Sequence, residues 1–440
     1  MGLVSSAFAG KRYAVLGLAR SGLATVEALV ASGAGVVAWD NREEARALAA
    51  DKAEIADPLE IDLAGFDGVV VSPGVPLNQH PIAMQAKLAG TPVIGDIELF
   101  ALARPTLPAH RVVGITGTNG KSTTTALVHH IIEAAGIPTR MGGNIGLPIL
   151  GQDPLPEGGI YVLELSSYQI DLTHSLDCDV AVLLNITPDH LDRYNGFDGY
   201  VASKARLFEM QSADHVAVIA TDDDPSRSIA ATPGARRVEV KASDIDSAAQ
   251  AGWPALQGPH NAQNAAVAIA VGRALGIDVA IIGQALQSYA SLPHRMQRVG
   301  ELNGVLYVND SKATNPASTA PALAAYPPVN GRPRLHWIVG GLAKTDNLDE
   351  CAPHFGNIAH AYTIGEAGHM FADLLRPHMA VDDSEMLSAA VRRAARVAQP
   401  GDVVLLSPAC ASFDQFRDFE ARGDAFVAAV AALEDGDMDG

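Results

Sequence analysis

A glycine-rich loop between a strand-like run and a helical pattern constrains the fold of this chain more than any other feature. Residues 112–116 predict a buried strand, residues 116–123 read TGTNGKST, and residues 122–135 predict a helix. Glycines allow backbone N–H groups to turn towards phosphate oxygens, and the start of a helix carries a partial positive charge. In such a loop the lysine bridges the β- and γ-phosphates, and the hydroxyl after it binds Mg²⁺. The predicted phosphate-binding residues are Gly117, Thr118, Asn119, Gly120, Lys121, Ser122 and Thr123.

The match to the phosphate-loop pattern is incomplete at one position. The strict pattern places a glycine five positions before Gly120, where this chain has Ile115. The alternative is a tight turn between a strand and a helix that holds an accidental lysine. The position of the loop between a predicted strand and a predicted helix favours nucleotide binding.

The composition limits the class of protein. Of the 440 residues, 31 are basic and 50 are acidic, which gives a formal net charge of −19, and 48% are apolar. These values describe a globular chain without the basic face that a nucleic-acid binder needs. Apolar runs such as 265–272 are shorter than the roughly 18 residues of a membrane-spanning helix. Three widely spaced cysteines offer neither a disulfide framework nor a CxxC metal site. We therefore expect a cytosolic, enzyme-like protein without membrane insertion, and a solvated acidic end at residues 434–437.

Strand-like runs alternate with helical patterns along the chain. This alternation predicts parallel sheets that are covered by helices. No sequence repeat relates the runs, which excludes a solenoid. The predicted strands lie at residues 13–16, 36–39, 68–71, 112–116, 161–165, 180–186, 305–308, 336–339 and 403–406.

Breaks in this alternation predict three α/β domains. Pro105 and Pro108 interrupt the first series of strands, and residues 292–295 end the second. Three domains also fit a chain of this length at about 100–200 residues per domain. We predict a Rossmann-like domain over residues 1–104, a central P-loop ATPase-like domain with a parallel sheet over residues 105–296, and a Rossmann-like domain over residues 297–440.

A second glycine-rich turn follows the strand at residues 13–16. Gly17, Ala19 and Gly22 approach the GxGxxG pattern of dinucleotide-binding turns, and Asp40 follows at about the distance of a ribose-binding acid, roughly 20 positions. Ala19 replaces the glycine that lets the backbone approach a pyrophosphate, which disfavours NAD or FAD but permits a smaller nucleotide. A plain βαβ turn without a ligand is the alternative.

Two further loops offer ligands for a metal ion beside a triphosphate. Glu164 lies at the end of the strand at residues 161–165, and His190 lies in the acidic loop after residues 180–186. Parallel sheets bind ligands at the carboxyl ends of their strands. A carboxylate suits Mg²⁺, whereas histidine is an unusual ligand for so hard an ion. Taken alone, His190 is more often a capping or hydrogen-bonding residue than a ligand.

Three polar loops in the last third of the chain each follow an apolar strand. They occupy residues 309–315, 340–344 and 407–412, and we expect them to meet at one edge of a sheet. Together they predict a site for an anionic small molecule. Cys410 lies beside Ser412, but no assignable His–acid pair supports a nucleophile, so we expect Cys410 to be a buried small residue.

Five motifs together resemble those of a known family. They are TGTNGKST at 116–123, GNIG at 143–146, ELSS at 164–167, NITPDHLDRY at 185–194 and LPHR at 292–295. The family is that of the Mur ligases, the ATP-dependent amide ligases that build the peptidoglycan stem peptide. Residues 309–315 and 407–416 are similar to those of the members that add D-glutamate to UDP-N-acetylmuramoyl-L-alanine.

The resemblance implies a role for each matching position. Lys204 falls where the family carries a carbamylated lysine, and a carbamate is the kind of oxygen ligand that Mg²⁺ prefers. The catalytic residues would be Lys121, Glu164, His190 and Lys204, and two Mg²⁺ ions would be held by Ser122, Glu164, His190 and the modified Lys204. The adenosine-side contacts would be Asn261, Asn264, Arg295 and Asp310. The nucleotide-sugar contacts would be Ser21, Asp40, Asn41, Arg42, Ser72, Gly74, Asn144 and Ser166. The amino-acid pocket would consist of Lys312, Thr314, Lys344, Ser412 and Phe419, where two lysines meet two carboxylates.

The resemblance also implies a reaction. A cytoplasmic bacterial enzyme, expected to be a monomer, would use ATP to convert the alanine carboxylate of UDP-N-acetylmuramoyl-L-alanine into an acyl phosphate. The amine of D-glutamate would then displace phosphate. The alternatives are a folylpolyglutamate-synthetase-like ligase, which needs no nucleotide-sugar domain at residues 1–104, and a non-catalytic P-loop nucleotide sensor. A sensor would not need Glu164, His190 and a lysine-bearing third domain together.

Overall fold

The computed structural model describes residues 2–434, which form three β-sheets with helices on their faces. The last residues of the expected acidic end, 435–437, lie outside the described residues. Within the described part of the chain, no helix combines the length and the apolar character that crossing a membrane requires.

The first sheet is entirely parallel and has five strands. Its strands are β1 (Arg12–Leu16), β2 (Gly35–Trp39), β3 (Glu54–Ile55), β4 (Gly68–Val71) and β5 (Val93–Ile94). Their order across the sheet is β3-β2-β1-β4-β5. All four residues of β4 and the last four of β1 are buried, as expected of strands that are covered on both faces.

The second sheet is also parallel and has six strands. Its strands are β6 (His110–Thr116), β7 (Thr139–Gly143), β8 (Gly159–Glu164), β9 (Val180–Leu183), β10 (Val216–Ala220) and β11 (Arg236–Val240). Their order is β11-β10-β9-β6-β8-β7. The chain order reverses on either side of β6, so the loop after β6 lies at the position where open α/β sheets bind ligands.

The third sheet is mixed. Its strands are β12 (Gln297–Leu302), β13 (Val305–Asn309), β14 (Leu335–Gly340), β15 (Ile358–Ile364), β16 (Ala380–Glu385) and β17 (Val403–Leu406). Their order is β12-β13-β17-β14-β15-β16, and only the β12–β13 pair is antiparallel among these strands. The neighbouring positions of β13, β17 and β14 confirm that the three polar loops of the sequence follow adjacent strands.

Helices connect these strands. They are α1 (Arg20–Ala31), α2 (Glu43–Ala47), α3 (Ile82–Ala89), α4 (Asp96–Ala103), α5 (Lys121–Ala134), α6 (Ser167–Asp171), α7 (Phe197–Glu209), α8 (Asp224–Ala230), α9 (Ser247–Ala251), α10 (Pro259–Ala274), α11 (Val279–Ser288), α12 (Pro316–Ala324), α13 (Gly368–Leu375), α14 (Leu387–Val397) and α15 (Phe419–Glu434). The sheets and helices together confirm the predicted α/β class with several parallel sheets.

The chain packs as two compact units. Unit 1 comprises Met1–Asp244 and Gln263–Ala285, and unit 2 comprises Ile245–Ala262 and Leu286–Gly440. Unit 1 holds the first two sheets, which share one apolar core that contains residues of β1, α4 and β8. Unit 2 holds the third sheet, with one apolar cluster on each face. The domain boundaries after residues 104 and 296 stay predictions.

Most of the predicted strands differ from the structure by one or two residues at an end, and the strand at 180–186 differs by three. The first helix begins at Arg20, so Ser21 lies in its first turn. The strand predicted at 180–186 ends at Leu183, because the carbonyl of Asn185 accepts a hydrogen bond from the phosphate loop and not from a neighbouring strand.

The turn after β1 depends on close approach of the backbone. Gly17 has φ +95°, and a Cβ atom on Gly22 would lie 1.9 Å from the carbonyl oxygen of Gly17. No side chain fits at that distance, so glycine at position 22 lets α1 begin directly against the turn. The Ser72 hydroxyl donates to the same carbonyl oxygen at 3.1 Å, which joins the ends of β1 and β4.

Candidate phosphate, sugar and amino-acid sites

The loop between β6 and α5 has the geometry of a phosphate-binding loop. Gly117 and Gly120 have φ +154° and +82°, and Gly120 is the residue before the first turn of α5. A Cβ atom on Gly120 would lie 2.4 Å from Oδ1 of Asn264. That oxygen also accepts a hydrogen bond from the Thr124 hydroxyl at 3.1 Å. Asn264, a residue of α10 that was predicted as an adenosine-side contact, therefore packs against the phosphate loop and holds it in place.

Asn185 is a second brace, and it was not among the predicted site residues. Its carbonyl accepts from the N–H of Thr118 at 2.8 Å, and its side-chain oxygen accepts from the N–H of Asn119 at 2.8 Å. Its side-chain amide donates to Gln263 at 3.0 Å. The position directly after β9, beside the loop that follows β6, was the available signal in the sequence.

Two lysines converge on one carbonyl of the loop. The Lys121 ammonium donates to the Gly117 carbonyl at 3.0 Å and to the Thr118 carbonyl at 2.8 Å. The Lys204 amine, on α7, donates to the same Gly117 carbonyl at 2.8 Å. It also lies 4.7 Å from the ring centroid of Tyr200. The structure therefore brings Lys204 to the phosphate loop, and its role as a carbamylated metal ligand stays a prediction.

The environment of Lys204 favours a neutral amine. Its side chain is buried, with 1% of the residue exposed. Burial, and after it the charge of Lys121, lower the pKa of Lys204 well below its ordinary value, while Asp189 and Asp171 act in the opposite direction. Burial and this neighbouring charge therefore favour the neutral form of the amine.

Glu164 has one carboxylate oxygen without a partner. Its Oε1 accepts from the Asn144 side chain at 3.0 Å, while Oε2 is buried and has no hydrogen-bond partner in the described structure. A buried carboxylate oxygen without a donor is unfavourable unless a cation meets it. Ser122, which is also buried, is the second residue of α5, the helix that follows β6, and β6 pairs with the strand that ends at Glu164. These groups are chemically suited to Mg²⁺.

His190 lies in a strained loop and is about half exposed. Its φ of +52° is uncommon for a residue with a side chain. Its Nε2 is 3.5 Å from a carboxylate oxygen of Asp189, and its ring centroid is 4.9 Å from that of Tyr168. Residues 2–434 contain no group of three or more His, Cys, Asp or Glu side chains placed to hold a metal ion. The role of His190 as a metal ligand stays a prediction.

Asp40 organises the predicted nucleotide-sugar site at the end of β2. It accepts from the N–H of Leu18 at 2.8 Å and from the N–H and guanidinium of Arg42 at 2.9 and 3.1 Å. Burial raises the pKa of Asp40, but the hydrogen bonds from Arg42 and Leu18 outweigh it and lower the pKa to about 2. The carboxylate therefore joins the Gly17–Gly22 turn to the loop that holds Asn41 and Arg42.

The other predicted sugar-side residues have structural partners. Ser72 donates to Gly17, as described above, and Asn144 bonds to Glu164 through both its side chain and its backbone N–H. Ser166 caps α6 by accepting from the N–H of Gln169. A Cβ atom on Gly74 would contact nothing within 4 Å, so Gly74 faces open space.

The remaining adenosine-side predictions lie in unit 2. Asn261 donates to the Gln257 carbonyl at 3.0 Å. Asp310 accepts from the N–H of Met296 at 3.1 Å and from the Ser407 hydroxyl at 2.9 Å, which holds the segment with Arg295 against the third sheet. Burial raises the pKa of Asp310 to about 7. Their contact with a nucleotide stays a prediction.

The predicted amino-acid residues form two close pairs. The Lys312 ammonium lies 3.9 Å from the ring centroid of Phe419, and the Lys344 ammonium donates to the Thr314 hydroxyl at 3.4 Å. Ser412 is buried in the loop after β17. That loop is joined to the loop after β14 by paired hydrogen bonds between Leu342 and Ala411.

Cys410 is a buried residue, as expected from the sequence. None of its surface is exposed, and burial raises the pKa of its thiol to about 12. A thiol with so high a pKa is not a nucleophile at neutral pH.

Comparison with known families covers most of the chain. The MurD-like amino-terminal domain of Mur ligases matches residues 11–95, the Mur ligase middle domain matches residues 115–284, and the Mur ligase glutamate ligase domain matches residues 294–410.

Relatives match nearly end to end. The UDP-N-acetylmuramoylalanine–D-glutamate ligase of Novosphingobium aromaticivorans is 67% identical over 434 residues, which covers 98% of this chain and 97% of that protein. The corresponding ligase of Sphingopyxis alaskensis is 66% identical and covers 98% of this chain and 99% of its own. The chain belongs to the Mur ligase family.

Solved structures support the fold. The MurF ligase of Thermotoga maritima in complex with ADP superposes with a TM-score of 0.60 at 16% identity, covering 99% of this chain and 98% of its own. MurF of Acinetobacter baumannii gives 0.59 at 18% identity, covering 97% and 93%. At such identities the likeness shows the shared architecture.

Replacing Gly120 by alanine should weaken nucleotide binding. The new Cβ would displace Asn264 and shift the loop, and we expect the KM for ATP to rise on the order of tenfold or more. Gly136→Ala is the matched control, because Gly136 also has a positive φ, +69°, but its Cβ would meet nothing within 4 Å. Both variants should lose about 1–2 kcal/mol of stability. An unchanged KM for ATP in Gly120→Ala would contradict the proposed bracing by Asn264.

Proposed function

We propose that this chain is the ATP-dependent ligase that adds D-glutamate to UDP-N-acetylmuramoyl-L-alanine in the synthesis of peptidoglycan precursors. The proposal is supported by family membership over all three matched segments and by the activity for which relatives that are 67% and 66% identical are named. The main structural support for phosphoryl transfer is that Lys121 and Lys204 both donate to the Gly117 carbonyl, in a loop with the geometry of a phosphate-binding loop.

The first step is transfer of the γ-phosphoryl group of ATP to the alanine carboxylate. A carboxylate oxygen forms a bond to phosphorus as the bond to the β-phosphate oxygen breaks, which gives an acyl phosphate and ADP. Such a transfer requires positioning and neutralisation of charge more than covalent help. The backbone N–H groups of the loop and the Lys121 ammonium supply both, because Lys121 already lies over the loop.

Glu164, Ser122 and Lys204 fit a site for Mg²⁺, which we propose holds two ions together with His190. The support is the buried, partnerless Oε2 of Glu164. When bound, Mg²⁺ neutralises phosphate charge and orients the oxygens for in-line transfer. Ser122 and Glu164 would hold one ion through neutral and anionic oxygens, the ligands that this metal prefers.

We propose that Lys204 is carbamylated. Its neutral amine attacks the carbon of CO₂, so that an N–C bond forms while one C=O π bond opens and leaves its electron pair on oxygen. The nitrogen then releases a proton to solvent. The product carries a negative oxygen ligand where an ammonium would repel a metal ion. The support is the burial of Lys204 and the lowering of its pKa beside Lys121.

The second step is attack of the glutamate amine on the acyl carbon. The C–N bond forms, the C–O bond to phosphate breaks, and the amine loses a proton. Lys312 and Lys344 would hold the two carboxylates of the amino acid, and each is already placed by a partner, Phe419 or Thr314. We infer that the enzyme acts as a monomer in the bacterial cytoplasm.

The two alternative functions lack support from these observations. A folylpolyglutamate-synthetase-like ligase has no use for the sugar-nucleotide domain, and residues 11–95 match the MurD-like amino-terminal domain. A nucleotide sensor has no use for the lysine pairs of unit 2.

Phosphate release should require all three substrates. With ATP, UDP-N-acetylmuramoyl-L-alanine and D-glutamate, we expect steady turnover, and much slower turnover when L-glutamate replaces D-glutamate. Lys121→Ala should lower kcat by about a hundredfold or more, because it removes a charge that stabilises the transferring phosphoryl group. The exposed Lys87 provides the control, and Lys87→Ala should behave as wild type. Phosphate release that ignores the amino acid would contradict the proposed function.

Activity should depend on dissolved CO₂ through Lys204. We expect enzyme stripped of CO₂ to lose activity and to regain it with bicarbonate. Lys204→Arg, which introduces a permanent cation and cannot form a carbamate, should lose about a hundredfold in kcat. Lys204→Glu should retain more activity than Lys204→Arg, because it supplies a carboxylate. A Lys204→Arg enzyme that turns over as wild type would show that the carbamate is not needed.

A further inference from the structure

Arg422 is a buried arginine on α15, the helix that begins at Phe419. Only 1% of the residue is exposed. Its guanidinium donates to four oxygens. These are Ser311 Oγ at 3.0 Å, the Ser311 carbonyl at 2.9 Å, the Cys410 carbonyl at 3.0 Å and the Ala411 carbonyl at 3.1 Å.

This cation has no direct ion pair among the described residues, although the charge of Asp414 acts on it. None of the ion pairs found in the described structure includes Arg422, and its hydrogen-bond acceptors are three carbonyls and a hydroxyl. Burial lowers the pKa of Arg422 to about 10, so the guanidinium stays charged at neutral pH. Burying an unpaired charge costs free energy, and such a charge is a candidate for a functional role.

The acceptors belong to the loops that carry the predicted amino-acid pocket. Ser311 directly precedes Lys312 in the loop after β13. Cys410 and Ala411 directly precede Ser412 in the loop after β17. One guanidinium therefore joins the backbones of two loops at the residues next to two pocket side chains.

The third loop, after β14, packs against the same group. A Cβ atom on Gly341 would lie 3.1 Å from a guanidinium nitrogen of Arg422 and 2.4 Å from the Ala411 carbonyl oxygen. Leu342 and Ala411 then exchange backbone hydrogen bonds of 2.9 Å. Lys344 follows two positions later, so its placement also depends on this junction.

The helix itself contributes to the pocket. Its first residue, Phe419, lies under the Lys312 ammonium, and the Phe419 carbonyl accepts from the Ser311 hydroxyl at 2.8 Å. Arg422 follows one helical turn later, on the stripe that continues to the buried Phe426 and Val430. Helix and loops therefore meet at the guanidinium.

We propose that Arg422 is the positioning residue of the amino-acid site. It fixes the loops after β13, β14 and β17 in one arrangement, and its buried positive charge lies against the loops that carry Lys312 and Lys344. The inference rests on the proposed function, because it takes glutamate as the ligand. Arginine suits this role because its planar fork reaches several acceptors at once, which a lysine does not.

The test compares Arg422→Lys and Arg422→Met in steady-state kinetics. We expect Arg422→Met to raise the KM for D-glutamate at least tenfold, and Arg422→Lys to raise it less, because it keeps the charge but not the fork. The KM for ATP and the KM for the sugar nucleotide should each change less than twofold in both variants. Arg376, which is about half exposed at the end of α13, provides matched controls in Arg376→Lys and Arg376→Met. Equal loss for all three substrates would indicate a merely structural role and would overturn the proposal.

A second measurement does not depend on the substrate. Hydrogen exchange of the amides at residues 309–315, 340–344 and 407–412 should accelerate in Arg422→Lys, while the strands of the third sheet stay protected. If Arg422→Met fails to fold, Ser311→Ala serves in its place, because it removes one acceptor of the guanidinium. It should raise the KM for D-glutamate in the same direction but by a smaller factor. Wild-type enzyme that does not turn over D-glutamate would refute the proposed function, whereas unchanged exchange in the three loops would refute the role of Arg422.

Discussion

The carbonyl oxygen of Gly117 accepts hydrogen bonds from two lysines, and the chemistry of unit 1 depends on that arrangement. Burial and the nearby charge of Lys121 lower the pKa of Lys204, because two positive charges close to one oxygen repel each other in a buried setting. Lys121 is only partly buried, whereas Lys204 is buried. Under the proposed function, Lys121 contacts the phosphates of ATP, and the amine of Lys204 is the group that is carbamylated.

The local placement of cations explains how a chain with a large negative net charge can bind anionic substrates. The net charge of −19 repels anions, yet ATP, the sugar nucleotide and glutamate are all anionic. Capture must rest on small regions of positive potential. One such region is the phosphate loop with Lys121. The other is in unit 2, where Lys312 lies against Phe419, Lys344 donates to Thr314, and the buried charge of Arg422 contacts the same loops.

Much of the fold could be predicted from the sequence because the strands are short, apolar and followed by glycine or polar residues. The predicted strands at 68–71 and 403–406 coincide with β4 and β17. The strand after residue 180 was predicted too long, because apolar Leu184 and Ile186 continue the pattern while the backbone of Asn185 turns to the phosphate loop. Hydrophobic periodicity does not record which partner a backbone group bonds.

The site was predictable where it consists of contiguous motifs and unpredictable where it depends on distant contacts. Lys204 has the appearance of a solvated helix lysine, although it shares the buried face of α7 with Leu207 and Phe208. That spacing was a signal that could have indicated its burial. Arg422 lies 111 positions from Ser311, and only the packing of α15 on the third sheet brings them together. A single sequence carries no record of such a contact.

The proposed reaction passes the γ-phosphoryl group of ATP to the alanine carboxylate at the Gly117 loop. Oxygen labelling follows this transfer: UDP-N-acetylmuramoyl-L-alanine is prepared with both oxygens of its alanine carboxylate labelled, and the released phosphate is analysed by mass spectrometry. We expect one labelled oxygen in each phosphate, because the carboxylate oxygen stays on phosphorus when the glutamate amine displaces phosphate from the acyl carbon. Phosphate that carries no label would contradict the proposed reaction.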